Sequence, residues 1–158
     1  MSHEYGATVR WERGGAAFAG GRYSRAHVWV FDGGLEVPAS ASPQNVRLPW
    51  SRKDAVDPEE ALIAAVSSCH MLFFLDFASR AGFTVELYED RPVGVMEKNA
   101  RGKLYVSKIT LNPRIAFSGG KQPSPEEITD LHHRSHEECF IANSVLAEVV
   151  VAGQPAHA

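Results

Sequence analysis

Residues 57–83, DPEEALIAAVSSCHMLFFLDFASRAGF, spell a helix whose sequence has no wet side. Asp57 sits where a cap belongs. Pro58 takes the first helical position, and Glu60 stands three residues after the cap, the capping-box spacing. Gly82 marks the stop, giving a rod roughly 36 Å long at about 1.5 Å per residue. At 100° per residue, Leu62, Ala65, Val66, Cys69, Leu72, Phe73 and Asp76 share one face. Ile63, Ala64, Met71, Phe74, Leu75 and Ala78 fall opposite. A helix apolar all round is a buried helix. One chain of 158 residues with a single sheet is hard pressed to cover about seven turns of it, so a homodimer packed near this helix is expected. Ser67, Ser68, His70 and Asp76 interrupt the apolar run, which argues against a membrane span.

The rest of the chain is rich in strands. YGATVRWER (5–13) alternates, and RAHVWVFDGG (25–34) is a clearer strand whose Asp-Gly-Gly turn folds back into LEVPAS. Residues 38–56, with three prolines, read as loop. After the helix, FTVELYEDRPVGVMEK and LYVSKITLNPRIAF flank the turn NARG (99–102), with Pro92 and Pro113 at edges or bends. Ser124-Pro125-Glu126-Glu127 opens a second helix to about Phe140, and SVLAEVVV closes the chain as a strand. The pattern predicts an α+β protein: a β region and loop over 1–56, then helix, hairpin, helix and strand over 57–158, all one domain. A net charge of −3 argues against nucleic acid as the main partner. No basic region followed by an apolar run opens the chain, so a reducing cytosol is the expected compartment.

Only two thiols are present, Cys69 and Cys139. Cys69 reads either as a small apolar filler, the common fate of a buried cysteine, or as a reactive group marked out by Ser67, Ser68 and His70 around it. Cys139 ends HHRSHEEC, and on a helix its face-mates are Ile128, His132 and Ser135. Three readings stay open: a solvated face, a thiol tuned by nearby imidazole, or a metal site. In the last, His132, His136 and Cys139 stand at i, i+4 and i+7, with Cys69 or His70 as a fourth ligand. Neither Cys-x-x-Cys nor His-Glu-x-x-His accompanies them. A cysteine hydrolase is disfavoured, because His70 on a helix points about 100° away from Cys69.

Asp-Pro-Glu-Glu, Cys69 ten residues after Glu59 on an apolar helix, and a second cysteine at 139 together resemble the OsmC/Ohr family of thiol peroxidases. The likeness runs from GGRYSRAHVWVFDGG to the last strand. It implies an intertwined α+β homodimer that reduces organic hydroperoxides without a cofactor or metal, regenerated by a dithiol such as a lipoylated protein. By motif Cys69 is then the peroxidatic residue, Cys139 the resolving one and Glu59 the carboxylate. The family's arginine maps to Arg25, with Arg22 as the alternative. His70 follows the first cysteine where an aromatic is common, and CFIANS replaces a Cys-Pro-Tyr-Ser-like segment.

The chemistry has a physical demand. Apolar burial raises a thiol's pKa, so an ionised Cys69 needs a cation such as a guanidinium, which in turn needs a counter-charge. Glu59 lies about 15 Å along the helix from Cys69 and roughly 80° around it, too far to touch sulfur but able to hold an arginine. Glu60 reads as the cap. A Cys69–Cys139 disulfide would need Cα atoms about 4.4–6.8 Å apart. Leu72, Phe73, Phe74, Phe77, Phe140 and Trp50 would favour an alkyl or lipid-like hydroperoxide. A redox sensor or a Cys/His metal-binding protein of the same fold is the alternative.

Overall fold

Helix α1 runs Pro58–Arg80, and the residues marked in the sequence build both of its ends. Asp57 Oδ1 accepts from Glu60 N at 2.8 Å while Asp57 N donates to Glu60 Oε2 at 3.4 Å, a reciprocal cap that accounts for Glu60. At the other end Gly82, at φ 80°, lets its own N–H reach Ser79 O and that of Phe83 reach Ala78 O, both at 3.0 Å. The structure, a computed structural model, describes residues 2–154. The chain divides into two compact units, one ending at Ala61 and one beginning at Leu62.

In the first unit β1 (Ala7–Arg10), β2 (His27–Phe31) and β3 (Glu36–Ala39) form an antiparallel sheet in sequence order. Val9 and Val37 flank Trp29 in register. The Asp-Gly-Gly turn forms as expected, with Gly34 at φ 82° and its N–H on Phe31 O. The loop that follows is tied down where Val56 bridges back: Ser40 N donates to Val56 O at 3.0 Å and Val56 N to Pro38 O at 3.1 Å.

The second unit is organised around one bent hairpin. Two long strands were expected on either side of NARG, but the structure has four: β4 (Thr84–Glu89), β5 (Val93–Lys98), β6 (Leu104–Leu111) and β7 (Arg114–Ser118). Pro92 and Pro113 each lack an N–H, and the ladder breaks beside both, leaving β5 paired to β6 and β4 to β7. Asp90 stitches the corner, accepting from Asn112 N at 2.6 Å and from Ser67 Oγ at 2.5 Å. Helix α2 spans Pro125–Glu138, with Ser124 and Glu127 forming a capping box. The last strand, β8 (Glu148–Val151), is shorter than predicted: Ser144 belongs to a 3₁₀ turn over Ala142–Ser144, and 145–147 lie outside the strand. It pairs in parallel with β6, placing β6 at the centre of a three-stranded sheet.

Packing within the single chain covers only part of α1. It is buried on one side only, through Val66, Ser67, His70, Phe74 and Ala78. Val66 joins Ile109, Leu111, Val149 and Val151 in one cluster, and Phe74 and Ala78 join Phe83 and Leu131 in another. Ala64, Ala65, Ser68, Leu72 and Asp76 are exposed, Leu72 at 61%. The buried stripe thus cuts across the two faces drawn from the sequence. Apolar residues on every side gave the helix no pattern to choose by. Packing selected the side carrying two polar groups, each of which finds a partner.

Candidate active site

Cys69 lies midway along α1, in the second unit, and is half-buried. Cys139, expected within α2, is instead that helix's terminal cap, on extended backbone at φ −64° and ψ 107°. Asn143 stops the helix. Its N–H reaches Cys139 O at 3.0 Å, and its Nδ2 donates to Glu137 O at 2.8 Å and to Cys139 O at 3.1 Å. The resulting turn carries the thiol inward: Cys139 is fully buried and donates to Val66 O, one turn before Cys69, at 3.9 Å. Ala142 N donates to its sulfur at 3.4 Å.

The two thiols are neighbours. Both are free. Burial pushes the Cys139 thiol up to about 11; the Cys69 side chain, by hydrogen bond and by charge, pushes in the same direction, against the Ala142 N–H. Beside them Phe73, one turn beyond Cys69, meets Phe140 edge-on at 5.1 Å between ring centres. Phe140 is 68% exposed, so this aromatic flank is open to solvent.

The histidines divide sharply. His70 and His132, exposed by only 1% and 2%, hydrogen-bond through Nε2 and Nδ1 at 3.0 Å, with ring planes 17° apart. His136 is half-buried; burial and then His133 lower its pKa, against Glu137. Because α2 ends at Glu138, Cys139 leaves the helical spacing on which the His132–His136–Cys139 metal reading depended. Among the described residues no group of three His, Cys, Asp or Glu side chains converges on a point that could hold a metal ion.

Arg25 and Glu59 belong to the first unit. Arg25 Nη1 donates to Gly21 O at 2.7 Å and Tyr23 O at 2.5 Å, and its guanidinium lies 3.8 Å over the Tyr23 ring. Tyr23 packs in turn against Phe18 and Trp11. These rings, with Val9, Arg25 and His27, line an open apolar cavity of about 450 Å³. His27 braces the arginine's backbone: Nδ1 lies 2.8 Å from Arg25 O, while Nε2 accepts from Trp29 Nε1 at 3.0 Å. Arg22, the alternative, is exposed. Glu59 Oε1 accepts from Asn45 Nδ2 at 3.0 Å, and Oε2 is buried without a hydrogen-bond partner among the described residues. An uncompensated carboxylate oxygen in that position is costly, and a cation would relieve it.

Sequence reasoning missed the His70–His132 hydrogen bond, the Asn143 stop and the Asp90 stitch. A histidine embedded in an apolar helical run was the signal for the first.

The profile of the family described as OsmC-like protein matches residues 51–152, most of the chain. The chain belongs to the OsmC-like family. Solved OsmC-like structures agree throughout the fold. An OsmC-like protein of unknown function from Vibrio cholerae is 49% identical with TM-score 0.93, over 95% of this chain and 98% of that one. An organic hydroperoxide resistance protein from Elizabethkingia anophelis, solved with thiocyanate bound, is 18% identical with TM-score 0.69, over 100% and 99%. The organic hydroperoxide resistance protein OhrB of Bacillus subtilis is 17% identical with TM-score 0.65, over 94% and 95%. At those identities the last two share the fold alone. No curated protein is significantly similar in sequence.

Proposed function

We propose that this OsmC-like protein is a cysteine-based peroxidase that reduces organic hydroperoxides. One observation carries the proposal: a half-exposed thiol and a fully buried one stand side by side in a single chain. In the first step the Cys69 thiolate attacks the O–O bond. Sulfur takes one oxygen as a sulfenic acid, and the other oxygen leaves as an alkoxide that picks up a proton to become the alcohol. In the second step Cys139 sulfur bonds Cys69 sulfur, its thiol proton joins the departing hydroxide as water, and a disulfide remains. A sulfenic acid left without a partner thiol is open to further oxidation. An external dithiol, with a lipoylated protein as one candidate, then reduces the disulfide and is itself oxidised.

Arg25 is proposed as the cation that keeps Cys69 ionised and Glu59 as its counter-charge; the buried, unpartnered Glu59 Oε2 supports the second role. The Phe73–Phe140 flank suits an alkyl chain better than a small hydrophilic peroxide. Two proteins that share the fold, the organic hydroperoxide resistance proteins of Elizabethkingia anophelis and Bacillus subtilis, agree by name with this substrate class. Free thiols suit the reducing cytosol proposed as its compartment. The high pKa of Cys139 favours a second reading, a redox sensor whose disulfide forms too slowly for turnover.

Mass mapping under non-reducing conditions tests the proposal. Treated with cumene hydroperoxide, the protein should contain a Cys69–Cys139 disulfide within one chain. With a dithiol present it should turn over many equivalents, and Cys69→Ser should abolish both results. Arg25→Ala and Glu59→Ala should cost several orders of activity while the fold persists. Unchanged mass, or oxidation running straight to sulfinic acid, refutes the peroxidase; one disulfide without turnover selects the sensor.

A further inference from the structure

Two imidazoles sealed from water need an explanation, since buried polar groups persist where they are satisfied and where they fix one arrangement among several. His70 is the residue after Cys69. His132 lies two turns before Cys139 on α2, and its other side is walled by Phe74, whose ring centre is 4.6 Å away. The His70–His132 bond therefore joins the two elements that deliver the two sulfurs. Other contacts between those elements direct the packing less: Leu131 packs with Phe74 and Ala78, the Arg134 guanidinium lies 4.3 Å over Phe77, and the Cys139 thiol reaches Val66 O only at 3.9 Å. Greasy packing holds helices together but tolerates a slide. A 3.0 Å N···N bond between buried rings tolerates little, because the ring nitrogens of an imidazole donate and accept only in fixed directions.

We propose that His70 and His132 are positioning residues for disulfide formation, their hydrogen bond setting the register in which Cys139 meets Cys69. The inference rests on the peroxidase proposed above. His70 itself points about 100° around α1 from Cys69, so it acts through the helix it anchors rather than on the sulfur. Loss of the bond should leave attack on peroxide intact and slow the step in which two sulfurs must meet. A 1 Å misplacement of reacting groups can cost about 100-fold.

The experiment follows both steps separately in the full-length protein. Sulfenic acid formation is trapped with dimedone, and disulfide formation is read by non-reducing mass mapping in rapid-quench samples. His132→Leu should form sulfenic acid within about twofold of wild type. Its disulfide should form about tenfold to 100-fold more slowly, with sulfinic acid accumulating at Cys69. His132→Asn, whose amide can accept or donate where Nδ1 stands, should recover most of the rate. Should His132→Leu fail to fold, His132→Phe serves instead. Wild-type disulfide rates in a folded Leu or Phe variant overturn the inference and leave the peroxidase standing. An equal slowing in His132→Asn also overturns it, because size and not hydrogen bonding then matters. No disulfide in wild type removes the peroxidase and this inference together.

Discussion

With its side chain fully buried and the Cys69 thiol beside it, Cys139 keeps its proton far into the alkaline range, its pKa pushed from 9.0 up to about 11. The sign of the consequence follows from proton counting. Between those two pH values an unfolded chain has lost this proton while the folded chain has kept it. Stability therefore falls as pH rises through the window, by at most about 1.4 kcal/mol per pH unit. Other groups titrate there too, so the check is a difference: urea unfolding of wild type against Cys139→Ser from pH 8 to 11 should show the steeper loss in wild type. The same proton predicts that iodoacetamide at pH 8 labels Cys69 well before Cys139. At this scale the sequence was readable wherever the physics is local. Asp57, Glu60, Gly82, Ser124 and Glu127 all do what their spacing says, because a cap is decided within four residues. His70 and His132 met in the sequence only as candidate ligands of one metal; their direct bond was not readable, since 62 residues separate them and a histidine looks the same in sequence whether it meets water or another ring.

Elements show why part of the fold escaped a sequence reading. The proline breaks at 92 and 113 were visible, but the re-pairing of the four resulting strands depends on partners far along the chain. So does the parallel seat of β8 beside β6. Helix α2 ran too long in the sequence reading because the residue that ends it, Asn143, acts backwards from beyond the helix. The packing of α1 on β5 has its own test. A Cβ at Gly94 would overlap Ile63 Cδ1 and stand 2.8 Å from Ile63 Cγ1, so the strand approaches the helix closely because Gly94 has no side chain. Gly94→Ala should cost about 1–3 kcal/mol in urea unfolding. Adding Ile63→Val, which removes the overlapping methyl, should return part of that loss in a double-mutant cycle. A neutral Gly94→Ala would mean the approach is looser than these distances imply.

For the molecule as a whole, the open question from the sequence was what covers the long helix. The single chain buries one side of it and leaves Leu72 61% exposed; Leu104 and Phe140, elsewhere in the second unit, are exposed by 62% and 68%. Apolar surface on this scale commonly marks an interface. A homodimer remains the proposed occupant. Light scattering at micromolar concentration should give twice the 17.3 kDa of the chain, and Leu72→Glu should return the single mass. A wild-type mass of one chain would refute the dimer. The half-wet stripe of α1 then carries a corollary about abundance. If its dry partner is another copy, mass action enters the melting curve, and diluting the protein lowers its melting temperature with no change in any bond inside a chain.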